Sequence, residues 1–401
     1  MRPIARTTTP APPEGRELGR PVAATLRAAL AAAVAVTLAA CAGAEPGGAS
    51  PAASTPTSAP GSTPATPSGG TPSSTPILDS AVAWILFEHM DFESGTRTLQ
   101  RVRPGTDDPV PALPAGPSGT GMLADWSPDG ARFAFTAWDP PSAGLDPAST
   151  ADLWVAAWDG GSPARLVDCA TPCWMIDSPA WSPDGRRIAF SRTDAVDGTI
   201  TGTTVQVLDL ASGRIETILD AEPPGVVGVH DWSGDGRSLL VGEARLRSTS
   251  IVEIMSSGTW VTGTVIAVVD LDAPGSGPRR LPAPDLPVNS AAWHPTEDLV
   301  VFDAGLIDNS DPAHSTSELY TVRPDGTGSA QLTDTASVGA FAFAPSWSPD
   351  GSTILFTLWH RASYTPTLAS IRPDGTGLEE LGGETSIVGW FPRQRPIPAT
   401  P

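Results

Sequence analysis

The chain has 401 residues and a formal net charge of −20, and all 24 of its cationic side chains are arginine. Residues 1–40 hold five Arg and two Glu, so the rest of the chain carries about −23. A surface this acidic repels phosphate backbones and anionic headgroups, which argues against nucleic acid and favours a neutral or cationic partner. The absence of Lys, with abundant Ala, Gly and Pro, is the composition of a high-GC genome such as an actinobacterial one.

The first element is an export signal. Arg2, Arg6, Arg16, Arg20 and Arg27 precede an apolar run over 28–40. A positive region followed by an apolar run too short for a comfortable transmembrane helix predicts a signal peptide over 1–40. The run ends Leu38-Ala39-Ala40-Cys41 and resembles the bacterial lipobox. That resemblance implies acylation of Cys41, which becomes the mature N-terminus and the membrane anchor. The alternative is an ordinary signal peptide with an incidental Cys. Residues 42–76 are Ala, Gly, Pro, Ser and Thr apart from Glu45. With nothing to bury, they read as a disordered tether, 41–76 including the anchor. Fully extended, it spans roughly 110 Å.

From residue 77 the chain is a repeat. Trp-Ser-Pro-Asp-Gly followed by an apolar strand occurs at Trp126, Trp181 and Trp347. Variants stand at Trp232 (Trp-Ser-Gly-Asp-Gly) and Trp293 (Trp-His-Pro), and the successive spacings are 55, 51, 61 and 54 residues. Pro presets φ at the first corner of a tight turn and Gly supplies the positive φ that closes the hairpin. Trp is the large apolar anchor between packed sheets. A second hairpin and a short fourth strand follow in each repeat, as in Leu153-Trp154-Val155 turning at Asp159-Gly160-Gly161 and then Arg165-Leu166-Val167. Four strands in about 50 residues is the pattern of a propeller blade.

The ends complete the count. Residues 83–113 supply strands two to four of a blade, and 386–391 supply a lone first strand with Trp390 at the repeat position. The predicted fold is all-β: a six-bladed β-propeller of four-stranded antiparallel blades over 77–392. It is closed by the C-terminal strand joining the N-terminal blade, and 393–401 form a disordered tail. The repeats resemble those of the TolB-type β-propeller family, a cousin of the WD-repeat propellers, over about residues 82–392. The resemblance implies the six-bladed fold and leaves function open, since such propellers host binders, lyases and hydrolase-gating domains. TolB carries an additional N-terminal α/β domain, whose place the tether takes here, so the Tol-system role is not carried over.

Few residues suggest chemistry. Cys169 and Cys173 share one loop; in an oxidising compartment they are expected to form a disulfide, the alternative being a metal or redox pair. His89, His230, His294, His314 and His360 show no metal-ligand spacing, and His294 occupies the Ser position of a turn motif. The loop 308–314 clusters oxygen ligands, as a calcium site or an ordinary surface loop does. The turn residues Asp129, Asp184 and Asp350 read as structural. No Gly-x-Ser-x-Gly elbow and no phosphate-binding loop is present. Catalytic, metal and cofactor sites are therefore not assigned.

Strand order places the loops between strands two and three, and between blades, on one face. The long ones are 137–150, 193–203, 243–263, 304–317 and 169–173. Long loops on a rigid scaffold are the usual carriers of recognition. Trp138, Trp174, Arg245 and Trp260 are candidate contacts there, or are packed under their own loops. The expected function is a monomeric, extracytoplasmic, membrane-tethered propeller that binds an envelope protein or glycan. The alternative is a channel-sited enzyme of lyase or glycosidase type.

Overall fold

The computed structural model describes residues 83–397 apart from 91–96, 107, 114–119, 140–149, 258–260, 274, 285, 307–313, 364 and 382–389. Cys41, the tether, Trp260 and most of the 308–314 loop lie outside the described residues. Among the described residues, no helix is long and apolar enough to cross a membrane.

The strands fall into four-stranded antiparallel units, called blades 1 to 6. Blade 1 holds β1 (Ile85–Met90), β2 (Arg97–Val102) and β3 (Val110–Pro111). Blade 2 is β4 (Thr120–Trp126), β5 (Arg132–Asp139), β6 (Thr150–Ala157) and β7 (Ala164–Val167). Blade 3 is β8 (Cys173–Trp181), β9 (Arg187–Val196), β10 (Thr199–Asp209) and β11 (Ile215–Ala221). Blade 4 is β12 (Gly225–Trp232), β13 (Ser238–Leu246), β14 (Val261–Asp270) and β15 (Arg279–Arg280), with helix α1 (Ile251–Ser257) between β13 and β14. Blade 5 is β16 (Val288–Trp293), β17 (Val300–Ala304), β18 (Glu318–Val322) and β19 (Ala330–Gln331). Blade 6 is β20 (Ala340–Trp347), β21 (Ile354–His360), β22 (Thr365–Ile371) and β23 (Glu379–Glu380). The last strand, β24 (Trp390–Gln394), completes blade 1 by pairing antiparallel with β1. Blades 2 and 3 merge into one eight-stranded sheet only through a single parallel bridge, Ala151 to Met175.

The core lies between blades. Trp126, Phe133 and Phe135 of blade 2 pack on Leu86 and Leu99 of blade 1. Val205 and Val207 of blade 3 meet Trp232, Leu239 and Val241 of blade 4. Phe302 of blade 5 packs with Ile266 and Leu240 of blade 4. The closing interface, Ile85, Phe87 and Val102 against Leu355 and Leu368, is the smallest of these clusters among the described residues.

The motif turns form as the spacing predicts. The Ser127 hydroxyl donates to Asp129 Oδ1 at 2.6 Å and accepts from Arg132 N at 2.9 Å. Gly130 sits at φ 63°. A Cβ there would also lie 2.0 Å from Pro396 O, so this position requires glycine twice over. The geometry recurs at Ser182, Ser233 and Ser348. Serine and backbone donors hold the Asp235 and Asp350 carboxyls below the usual range. His294 takes the serine's place: its Nδ1 accepts from Thr296 N at 3.2 Å and Glu297 N at 2.8 Å.

Two boundaries differ from expectation. Residues 193–203 are no loop, because β9 and β10 continue as one long hairpin to a tight turn at Asp197-Gly198, φ 49° and 73°. Residues 393–397 are no free tail, because β24 runs to Gln394 and Arg395 is buried to 1%.

Candidate functional site

The register of β24 defines the site. Ile85 pairs with Gln394 and Leu86 with Arg393. In blade 2 the equivalent residues, Phe133 and Ala134, pair with Trp126 and Asp125. Gln394 therefore takes the repeat position, and Trp390 stands four residues before it. The backbone confirms this: Arg395 N donates to Trp84 O at 2.7 Å, as Ser127 N does to Arg132 O at 2.9 Å. The assignment of Trp390 as a repeat tryptophan is corrected accordingly. Trp126, Trp181, Trp232, Trp293 and Trp347 hold the position as expected, and all are buried.

Each inner strand carries a register shift ahead of the repeat position. In three blades a non-glycine residue three before the Trp has positive φ: Leu123 (54°), Ser178 (51°) and Ala344 (55°). A bulge bends the strand and re-aims the residues after it. The residues just before the repeat position form a ring around the channel: Arg393, Asp125, Ala180, Asp231, Ala292 and Ser346, from blades 1 to 6 in order.

This ring staples neighbouring blades in alternating ways. Indole Nε1 of Trp126 donates to Arg393 O, that of Trp232 to Ala180 O and that of Trp347 to Ala292 O, at 3.1, 3.0 and 3.2 Å. At the interfaces between them the carboxylates act: Asp125 accepts from Trp181 N and Asp231 from Trp293 N, both at 2.8 Å. Asp231 also accepts from Trp232 N at 2.7 Å. The sixth interface is closed by the Ser346 hydroxyl, which donates to Pro392 O at 2.5 Å.

The ring lines a cavity of about 610 Å³ at the tight-turn end of the channel. His230, Ala83 and the turn prolines complete its wall. Burial raises the Asp125 carboxyl despite the Arg393 charge. Burial, reinforced by the Asp125 charge, pushes Asp231 up to about 7. Burial and the Arg393 cation lower His230 to about 4, so it is neutral at physiological pH. Its Nε2, lying over Gly242, meets no hydrogen-bond partner among the described residues. The mouth thus carries the Arg393 and Arg395 cations on blade 1, the Asp125 carboxyl beside them on blade 2, Asp350 on blade 6 and, across the ring, Asp231, a group that exchanges a proton near neutrality. Among the described residues no cluster of His, Cys, Asp or Glu is arranged to hold a metal ion.

The loop-face candidates fare differently. Trp138 and Trp174 are buried to 5% and 4%, with ring centroids 6.2 Å apart. They pack against each other across blades 2 and 3 and are not exposed anchors. Arg245 is exposed at the end of β13, across from Gly225 and Thr262. Cys169 and Cys173 are joined by a disulfide and buried in the cluster between blades 2 and 3. Replacing both with serine is expected to cost about 2 kcal/mol, from the entropy of so short a closed loop. Denaturant unfolding with and without the bond measures that cost, and an unchanged midpoint would refute it. The ring residues were not picked out from the sequence, although an Asp precedes the motif Trp at Asp125 and Asp231.

No family model and no curated protein matches the chain. Among solved structures it is similar to TolB from Acinetobacter baumannii, at 15% identity over 80% of this chain and 68% of that one, with a TM-score of 0.55. A putative TolB from Agrobacterium tumefaciens is 17% identical over 77% of this chain and 90% of that one, with a TM-score of 0.48. An oligogalacturonate lyase in complex with manganese is 14% identical over 75% and 72%, with a TM-score of 0.45. At such identities the likeness to the Acinetobacter protein is one of fold.

Proposed function

We propose that this chain is an extracytoplasmic binding module, held to the membrane through acylated Cys41 and its tether, that docks a protein or glycan of the envelope on its long-loop face. One observation carries the reading: large apolar side chains stand exposed on that face. Val252 on α1, Leu306 after β17 and Val338 before β20 are exposed to 62%, 59% and 65%, and Leu286 before β16 is exposed to 38%. Among the described residues Ile215, Leu378 and Ile397 are exposed at the tight-turn side and the other large exposed apolar side chains stand on the loop face, and the face richer in them is the better recognition surface. The chain enters at Ala83 and leaves at Ile397, both on the tight-turn side where they line the channel mouth.

The test is crosslinking in cells followed by purification, comparing the native chain with a Val252→Asp, Leu306→Asp, Val338→Asp variant. Loss of about tenfold or more of a specific partner in the variant is expected, equivalent to about 1.4 kcal/mol of binding. A Cys41→Ser chain should leave the membrane fraction. Equal recovery by the variant would refute the docking face, and a membrane-retained Cys41→Ser chain would refute the anchor.

A further inference from the structure

The mouth cavity is separate from the loop face, and its ring has a feature the staples do not explain. One pair of opposite charges, Arg393 and Asp231, faces across the ring, while Asp125 stands beside Arg393. Arg393 comes from blade 1, and Asp231 comes from blade 4, directly across a ring of six; Asp125 stands at blade 2. Ala180 and Ala292 leave the intervening sectors short and neutral.

Among the described residues Arg393 forms no ion pair within 4 Å, and its one side-chain hydrogen bond, to Pro392 O, is 3.2 Å long. A guanidinium has five donors, so most of its capacity is open. Asp231 has one backbone N–H on each carboxylate oxygen, which leaves a further lone pair on each. A simple anion drawn to Arg393 would be opposed by the two aspartates. A simple cation drawn to the aspartates would be opposed by Arg393. A molecule carrying both charges meets attraction at each end, and complementary charge placement of this kind gives selectivity. The cavity volume is within the range of small-ligand sites.

We propose that the channel mouth is a binding site for a small zwitterion of the amino-acid or short-peptide class, its carboxylate on Arg393 and its ammonium on Asp231 across the ring. Arg393 receives the carboxylate in the forked, two-bond geometry that guanidinium favours. The ammonium, with three donors and no acceptor, takes the free lone pairs of Asp231.

Both ends can be tested without disturbing the staples, because the ligand can be changed instead of the protein. Alanyl-alanine, its N-acetyl form and its C-terminal amide are titrated calorimetrically into the full chain. The free dipeptide is expected to bind, and each blocked form to bind about tenfold or more weakly. Arg393→Gln keeps the backbone carbonyl that accepts the Trp126 indole, so the staple survives. This variant should weaken the free dipeptide about tenfold but not the amide, which has no carboxylate to lose and is relieved of the Arg393 repulsion. Equal binding of free and blocked dipeptides would overturn the proposal, as would no binding of any form at about 10 mM, the weak end for a specific site. Dipeptide binding untouched by Arg393→Gln would overturn it too.

Discussion

Replacing Arg395 with alanine is expected to cost about 3–5 kcal/mol of stability, among the largest single-residue effects in the molecule. The side chain is buried to 1%, its Nε donates to Gly130 O at 2.7 Å and its guanidinium lies 4.5 Å from the Trp158 ring centroid. Arg101 reinforces the same spot, donating to the carbonyls of Trp158 at 2.5 Å and Asp159 at 2.8 Å. Together the two arginines latch blade 1, including its C-terminal strand, onto blade 2. The substitution removes a charge-assisted hydrogen bond and a cation–π contact and leaves a void beside Gly130 O. The latch matters because the apolar cluster at the closing interface is small. Denaturant unfolding of Arg395→Ala and Arg395→Lys measures the effect, with the lysine chain intermediate because it keeps the charge and stem but not the planar fork. A chain ending at residue 389 loses β24 and exposes the β1 edge, so aggregation should accompany its instability. An alanine variant within about 1 kcal/mol of the native chain would show that closure does not depend on this latch.

The second large effect is pH-dependent and centres on Asp177. This residue is buried to 3% opposite Ser191. Its Oδ1 meets no donor among the described residues. Burial pushes its carboxyl up to about 7, against the opposing pull of the Ser178 and Ser191 hydroxyls. The sign follows from which state holds the proton. Between about pH 4 and 7 the folded chain keeps it and the unfolded chain releases it, so stability falls as pH rises through this window and levels off above it. Asp177→Asn removes the ionisation and keeps the shape. Relative to the native chain, it should gain stability near pH 8, up to about 4 kcal/mol for a shift of this size, and lose that advantage toward pH 4.5. Asp231 and His230 titrate in both proteins and cancel in the comparison. Thermal melts of the pair at the two pH values decide the matter: a difference that does not change with pH would mean that Asp177 is not held protonated.

Much of the fold is local and therefore readable along the chain. A Pro-Asp-Gly turn with a serine before it satisfies its own donors and acceptors within five residues, so Ser127 and Asp129 announce the hairpin wherever they occur. The repeat of that unit with a Trp at its head fixes the blade, and an unpaired set of strands at each end calls for closure. His294 was legible as a turn residue because its ring nitrogen accepts the same kind of backbone donors as a hydroxyl. The disulfide was legible because its two cysteines share one loop of a chain expected to fold in an oxidising compartment.

The site was decided elsewhere. β24 has no motif turn after it, so Trp390 looked like the repeat residue; only pairing with β1 and the burial of Arg395 set the register four residues on. Bulges at Leu123, Ser178 and Ala344 use positive φ at residues whose side chains give no warning of it. Trp138 and Trp174 found each other from different blades, and a large aromatic reads the same whether it covers a loop or stands on it. Asp125, Asp231 and Arg393 look like scattered charges along the chain. They become a single electrostatic site only because closing the ring brings blades 1, 2 and 4 around one buried channel, where low dielectric makes distant charges feel one another. Turn chemistry acts over a few bonds and is written in order along the sequence, whereas burial and charge act through space and exist only once the ring has closed.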